Sequence, residues 1–293
     1  MSCITITRDQ TKQLKNTRDS TNFSTQNIDR KNAEKRYLSI LRIISIIGFF
    51  MIWQSIGWIN GVMEWFNPVY LPTPIAILHA GIEMASDGSL WTNIFISLRR
   101  IFSGVLIGTL LAFSVAILFV KFKKVEALIN PIFNFIGPIP VIALLPAVVI
   151  WFGIGESSKL IIISFSTFMV VLGYALDGMK NTDPLLIRSA MSLGANSYQV
   201  FTNVIIKSAM PNIFSGIKAS LSGSFAAMVV AEMMGATSGL GYVIINAKAW
   251  FKMNNMFLAI VMIGLLYTLF YFIITSLEGY LFRWKGSLDS AIE

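Results

Sequence analysis

The sequence predicts an all-α, polytopic membrane protein with six transmembrane helices and cytoplasmic N and C termini. Three observations predict it. Of 293 residues, 55% are apolar and only 13% charged, with a mean hydropathy of +0.68, whereas soluble domains carry about 25% charged residues. Six segments reach or approach the roughly 20 mostly apolar residues that cross a bilayer. Finally, 18 of the 23 lysines and arginines fall in, or within three residues of, the parts that six spans place on one side, and basic residues concentrate in cytoplasmic loops.

Each element follows in order. Residues 1–37 form a basic, polar tail with no apolar run, too long before the first apolar stretch to be a secretory signal. Its basic residues are interrupted by Asp9, Asp19, Asp29 and Glu34 and have no aromatic stacking platform beside them, so nucleic acid is not an expected partner. The first span is predicted over 40–59, within a first-helix segment 38–60. An external loop, 61–98, is too polar to span, contains Leu71-Pro72-Thr73-Pro74, and is expected to hold an interfacial helix over 75–85. The remaining spans are predicted over 101–120, 132–152, 160–176, 216–234 and 257–277, inside a core of 99–283 that leaves a short tail, 284–293.

Packing signals lie within these spans. Gly104, Gly108 and Ala112 make a stripe at four-residue spacing that lets helix backbones approach. Pro138, Pro140 and Pro146 interrupt the third span, and freed carbonyls in a spanning helix are tolerated against protein or a water-filled cavity. Helix packing and a solute path both account for them. The 22 phenylalanines and 14 methionines suit a lipid partner, while a single His79 and a single Cys3 leave no zinc cluster and no intrachain disulfide.

The stretch between the fourth and fifth spans is the most informative. Asp183-Pro184 suits a helix N-cap with proline at the first helical position. A short helix over 185–193 then ends at Gly194, and Asn196 with Gln199 resembles a capping box for a second one. Val200, Phe201, Val204 and Ile205 give that second helix an apolar face, and Pro211 is expected to end it before the fifth span. Two short helices joined at a glycine form a ledge, and its apolar face calls for a partner or packs against the inner ends of the bundle.

Ala190-Met191-Ser192-Leu193-Gly194-Ala195, Val204-Ile205-Ile206 and Ala209-Met210-Pro211 resemble the EAA loop of permease subunits of binding-protein-dependent ABC importers. The chain around them is similar to the nitrate/sulfonate/taurine subfamily through Leu71-Pro72-Thr73-Pro74, Ser97-Leu98-Arg99-Arg100, the stretches 139–146 and 151–159, Ala231-Glu232-Met233 and Gly239-Leu240-Gly241-Tyr242. Two positions depart from the pattern: Arg188 replaces the glutamate that opens the loop motif, and Lys207 replaces a proline. The Arg188 change raises the expectation of a compensating acidic residue on the docking partner.

The resemblance implies a type I importer permease and a non-catalytic transport subunit that binds no cofactor directly. ATP and magnesium would be used by a cytoplasmic ATPase subunit dimer, docked on a coupling loop, 183–211, through Arg188, Ala190, Gly194, Ala195, Phe201, Val204 and Pro211. An extracytoplasmic solute-binding protein and a second permease copy, as a homodimer in the inner membrane, are the other implied partners. Consistent with a separate ATPase, the chain has no G-x-x-x-x-G-K-[ST] sequence; the glycine-rich 153–159 lacks the phosphate-cradle spacing. Nitrate, sulfonates, taurine, bicarbonate and vitamin precursors are all solutes of the subfamily, and a small anion is expected here.

Pathway candidates are Arg99, Arg100, Pro140, Pro146 and Glu232. Glu232 is an ionisable group at membrane depth, with Arg99 or Arg100 as expected partner; a structural ion pair and a solute contact are both open. An ion-gradient-driven transporter is the alternative function, but the sequence shows neither paired carboxylates in the spans nor an inverted repeat. An intramembrane protease is disfavoured because Glu232 has no carboxylate partner and His79 stands alone outside the spans.

Overall fold

The computed structural model describes residues 37–282 apart from Ser39, Ile43 and Phe66, so the predicted tails 1–37 and 284–293 lie almost wholly outside the described residues. The described residues are helices joined by short turns, with no strand among them. The chain divides into two compact units on either side of Ile75 and Ala76.

The first unit contains α1 (Ile40–Met63). Its 24 residues reach about 36 Å at 1.5 Å per residue, enough for a bilayer core, and Ile46, Ile47, Phe49 and Met51 are exposed along it. A 3-10 turn, Pro68–Tyr70, follows, started by the Asn67 side chain accepting from the Val69 N–H at 3.1 Å. The Gln54 side-chain oxygen receives the Ile75 N–H at 3.4 Å, so the proline-rich connection doubles back along α1.

The expected interfacial helix is present as α2 (Pro74–Ser86), begun by a proline whose missing N–H costs a helix start nothing. In the second unit, α3 (Ser89–Lys121) starts ten residues before the predicted core boundary at 99. Gly88 precedes it at φ +79°, and the Asp87 carboxylate accepts the Ser89 N–H at 2.8 Å. Then come α4 (Lys123–Ile136), α5 (Val141–Phe152), α6 (Glu156–Lys180), α7 (Pro184–Ser192) and α8 (Ser197–Val200). A π-helical segment, Phe201–Ile205, joins α8 to α9 (Ile206–Met233), and α10 (Leu240–Ala249) and α11 (Met253–Leu281) complete the chain.

α6 is the central helix, packed most extensively against α9 and α3. The glycine stripe explains how. A Cβ at Gly104 would lie 2.3 Å from Ile163 Cγ2, and one at Gly108 2.4 Å from the Ser164 carbonyl oxygen. Backbones this close leave no room for a side chain, and in lipid such packing, rather than expulsion of water, drives helix association. Hydroxyls add a second tie: Thr167 and Ser224 bond across α6 and α9 at 2.7 Å. One core cluster joins Ala112 and Ala116 of α3 to Val171, Ala175 and Met179 of α6 and Ala209 and Ile213 of α9. A second joins Leu145 and Val148 of α5 to Ile162 of α6 and Ala227 and Ala231 of α9.

The predicted third span, 132–152, is corrected. It is two helices, α4 and α5, bent by 104°. The break falls at Gly137-Pro138-Ile139-Pro140, where two residues lack N–H donors; Gly137 still has helical angles, φ −53° and ψ −45°, and the chain has left the helix by Pro140, at ψ 123°. Pro146, expected to interrupt as well, lies inside α5, and Pro131 inside α4. Neither helix alone covers a bilayer, at roughly 21 and 18 Å, yet together they return the chain across the bundle. α4 starts beside the end of α6 through the Glu126–Lys180 ion pair, whereas Glu156, just beyond α5, meets Arg100 near the start of α3. With the bent pair counted as one span, the described residues hold up to six candidate spans.

A second correction concerns Pro211. It does not end the short helix; helix runs on from Ser197 to Met233, with Pro211 within α9. Upstream of it lies the π segment, whose Phe201 carbonyl accepts from the Ile206 N–H five residues on.

Candidate functional site

Two constellations occupy opposite ends of the second unit. The first is built on Arg100, 3% exposed on α3, and Glu232, fully buried near the end of α9. Arg100 Nη1 donates to Glu232 Oε1 at 3.0 Å and to the Ser238 carbonyl at 2.7 Å. Its other edge grips Glu156 side-on, with Nε to Oε2 at 2.8 Å and Nη2 to Oε1 at 2.5 Å. Such bidentate pairs fix orientation as well as charge. Glu232 also accepts from Ser97 Oγ at 2.8 Å and from the Gly241 N–H at 2.8 Å. Ser97 Oγ in turn receives the Leu240 N–H at 2.9 Å, and Asn93 Oδ1 the Gly239 N–H at 2.7 Å. The start of α10 is thus bolted to α3 and α9 through three consecutive backbone N–H groups.

The local backbone permits this only with glycine. Gly239 sits at φ +115°, and a Cβ there would stand 2.5 Å from the Glu232 carboxyl carbon. Lys159 adds a cation 3.4 Å from Glu156 Oε1, and Arg99, with a side chain 62% exposed, lies 3.8 Å from Glu156 Oε2. Desolvating the charges is costly, and the knot withstands it because each buried group has partners.

Of the predicted pathway residues, the structure brings Arg99, Arg100 and Glu232 together, with Arg100 as the partner of Glu232 and Arg99 reaching only Glu156. Pro140 and Pro146 take no part in the knot; Pro140 caps α5 and both are exposed. Glu156 and Ser97 were missed as site residues. Glu156 opens a span at a glycine-rich turn, and an acidic residue there, facing an arginine pair at the same depth, was the available signal. Ser97 carried none, because a serine in a span reads as packing.

The second constellation is the ledge. The Asp183 side chain caps α7 through the Leu185 N–H at 2.8 Å. Gly194, at φ +86°, ends it with the paired bonds Gly194 N–H to the Met191 carbonyl and Ala195 N–H to the Ala190 carbonyl. The expected capping box is complete, with the Asn196 and Gln199 side chains each taking the other's backbone N–H at 2.9 Å. The predicted apolar face turns inward: Val200 is buried, Ile205 packs on the α3–α6–α9 core, and Lys121 lies 4.9 Å from the Phe201 ring centroid. The exposed apolar residues are others, namely Leu185, Leu186, Met191, Leu193 and Tyr198, with Leu193 88% exposed. Arg188 and Lys207 are exposed beside them, Ala190, Ala195, Val204 and Pro211 half-buried.

Among the described residues no cluster of histidine, cysteine or carboxylates could hold a metal. A bundle of spanning helices, broken once at a proline pair and carrying a short-helix ledge between two spans, defines a multi-pass transport permease. Residues 104–286 match the family of binding-protein-dependent transport system inner membrane components, and the chain belongs to it. It is 31% identical over 248 residues to the taurine transport system permease protein TauC of Escherichia coli (strain K12), covering 83% of this chain and 90% of that protein. It is 30% identical over 262 residues to the putative aliphatic sulfonates transport permease protein SsuC of Bacillus subtilis (strain 168), covering 89% and 94%. Its fold is similar to that in the crystal structure of an amino acid ABC transporter with histidines, with a TM-score of 0.55 and 17% identity over 69% of this chain and 96% of that one.

Proposed function

We propose that the protein is the permease subunit of an ATP-driven importer for a small sulfonate-type anion delivered by an extracytoplasmic binding protein. The observation that carries the coupling part is the ledge, whose leucines stand clear of the bundle. Leu193, held at 88% exposure by a glycine-terminated helix, is an apolar anchor for a cleft on the ATPase, and buried apolar anchors dominate such interfaces. Lys121, Lys123, Lys124, Lys180, Arg188 and Lys207 share the ledge end, which supports placing that end and both termini in the cytoplasm. The knot then lies on the outer side. Closure of an ATP-loaded ATPase dimer would move α7 and α8 as a rigid lever continuous with α9, the rigid-body mode of domain switching. A second permease copy completes the pathway, and ATP and magnesium belong to the ATPase. The sulfonate assignment rests on the relatives' names.

The test is reconstitution with candidate ATPase and solute-binding subunits of the same organism. The reading requires co-purification of the ATPase and uptake that depends on ATP and on the binding protein; uptake driven by an ion gradient without ATPase would refute it. Gly194→Pro should leave the protein in the membrane but uncouple ATP hydrolysis from transport, since proline cannot adopt φ +86°. Unchanged coupled hydrolysis would remove the ledge from the mechanism.

A further inference from the structure

Beside the knot, at the same end of the second unit, lies a cavity of about 370 Å³ enclosed by the ends of α2, α3, α10 and α11. Its polar lining divides in two. Asn93 is fully engaged, its Oδ1 taking the Gly239 N–H and its Nδ2 donating to the Ser89 carbonyl at 2.8 Å. The Tyr242 hydroxyl, the Asn246 and Asn255 amides and the Lys252 ammonium line the same space and have no hydrogen-bond or ion-pair partner among the described residues.

Their placement follows from the fold. Tyr242 and Asn246 are four residues apart and share one face of α10; Lys252 is the N-cap residue of α11, and Asn255 lies in its first turn. The packing of α10 on α11 therefore turns all four into one space. No carboxylate lines it, while Met84, Val243 and Ala247 provide an apolar wall. The neighbouring α11 N-terminus, with its unsatisfied N–H groups, adds positive potential.

We infer that this cavity is a binding subsite for an alkanesulfonate: Lys252 and the two amides hold the –SO3⁻ oxygens, and the apolar wall takes the short alkyl chain. Four donor-bearing side chains with one net positive charge beside an apolar wall match that amphiphilic shape. The size is in the range of small-molecule pockets. This recess, with four unpartnered polar side chains, contrasts with the groove between α3, α9 and α11, which is lined by aliphatic and aromatic side chains apart from Arg99 and Thr109. The inference rests on the sulfonate reading above, and names where on this chain such a solute would first be held.

The test uses the full chain in phosphatidylcholine nanodiscs titrated with ethanesulfonate by ligand-observed NMR. Saturable binding is expected, weakened about tenfold or more in Lys252→Gln and Asn255→Leu, in line with loss of a hydrogen bond to a charged group. Lys252→Arg should recover most of it, and Lys248→Gln, which removes the same charge outside the cavity, should bind like wild type. Equal weakening in Lys248→Gln and Lys252→Gln, or no saturable binding in wild type, would overturn the site. Binding abolished when phosphatidylglycerol replaces phosphatidylcholine would assign the cavity to a lipid headgroup and overturn the solute assignment. In the reconstituted importer, Lys252→Gln should raise KM for ethanesulfonate uptake. Uptake with unchanged KM would sink the subsite and leave the proposed function standing. Absence of sulfonate uptake in wild type would instead refute the proposed substrate, whatever the nanodiscs bind.

Discussion

The two ends of the α3–α6–α9 bundle solve opposite problems. Within the knot itself, polar groups dominate and nearly all are consumed internally: four of the five Arg100 N–H groups, the Glu232 carboxylate and the first N–H groups of α10 all find protein partners. At the ledge end the backbone is equally well capped, yet its apolar side chains are left uncovered. Saturated polar contacts make a region rigid and indifferent to partners. Uncovered leucines on capped short helices make a region that needs one. The same chain thus carries a fixed anchor and an open contact surface, separated by the length of α6.

The sharpest way to break the comparison is to unpair the knot. Arg100→Leu should strand a fully buried Glu232 and lower stability by about 3–5 kcal/mol, read as loss of folded protein in thermal unfolding after solubilisation. If Arg100→Leu unfolds like wild type, the knot is not an anchor. Next comes the close packing that sets the separation: Gly108→Ala places a methyl 2.4 Å from the Ser164 carbonyl oxygen and should cost about 1–3 kcal/mol by overpacking, measured the same way. The ledge should answer differently. Leu193→Asp is expected to shift stability by less than about 0.5 kcal/mol, as surface substitutions do, while cutting ATPase co-purification about tenfold or more, as loss of an interface anchor does. A destabilised Leu193→Asp protein would mean that the ledge belongs to the core after all. The smallest effect should be that of Arg99→Gln. Its neighbour in sequence is buried, but Arg99 is an exposed partner at 3.8 Å, and such pairs contribute about 0–1 kcal/mol.

Sequence reading was strongest where a local rule acts alone. The Asp183 cap, the glycine stop at Gly194 and the Asn196–Gln199 box each depend on a few neighbouring residues and appeared as expected. The glycine stripe of α3 also announced close packing, although not that α6 would fill it. The reading weakened where two rules compete. Pro211 reads as a terminator, yet the helix runs through it to Met233. Pro138, Pro140 and Pro146 all read as interruptions of the third span, whereas only the closely spaced pair at 138 and 140 falls at the bend. Val200, Phe201, Val204 and Ile205 were correctly seen as one apolar face, but periodicity cannot say whether a face turns to a core or to a partner.

By itself the sequence determined what lipid and local geometry demand: the apolar spans, the caps, the glycine turns and the lopsided distribution of basic residues. These depend on composition or on residues within a turn or two of each other. Tertiary structure alone decided that Glu232 pairs with Arg100, that Glu156 closes the other side of that guanidinium, and that Leu193 rather than Phe201 faces outward. Arg100 and Glu232 are 132 residues apart in the chain. Only the packing of α3 and α9 around α6 brings them to 3.0 Å, and no local signal specifies a contact that depends on three helices meeting at one depth.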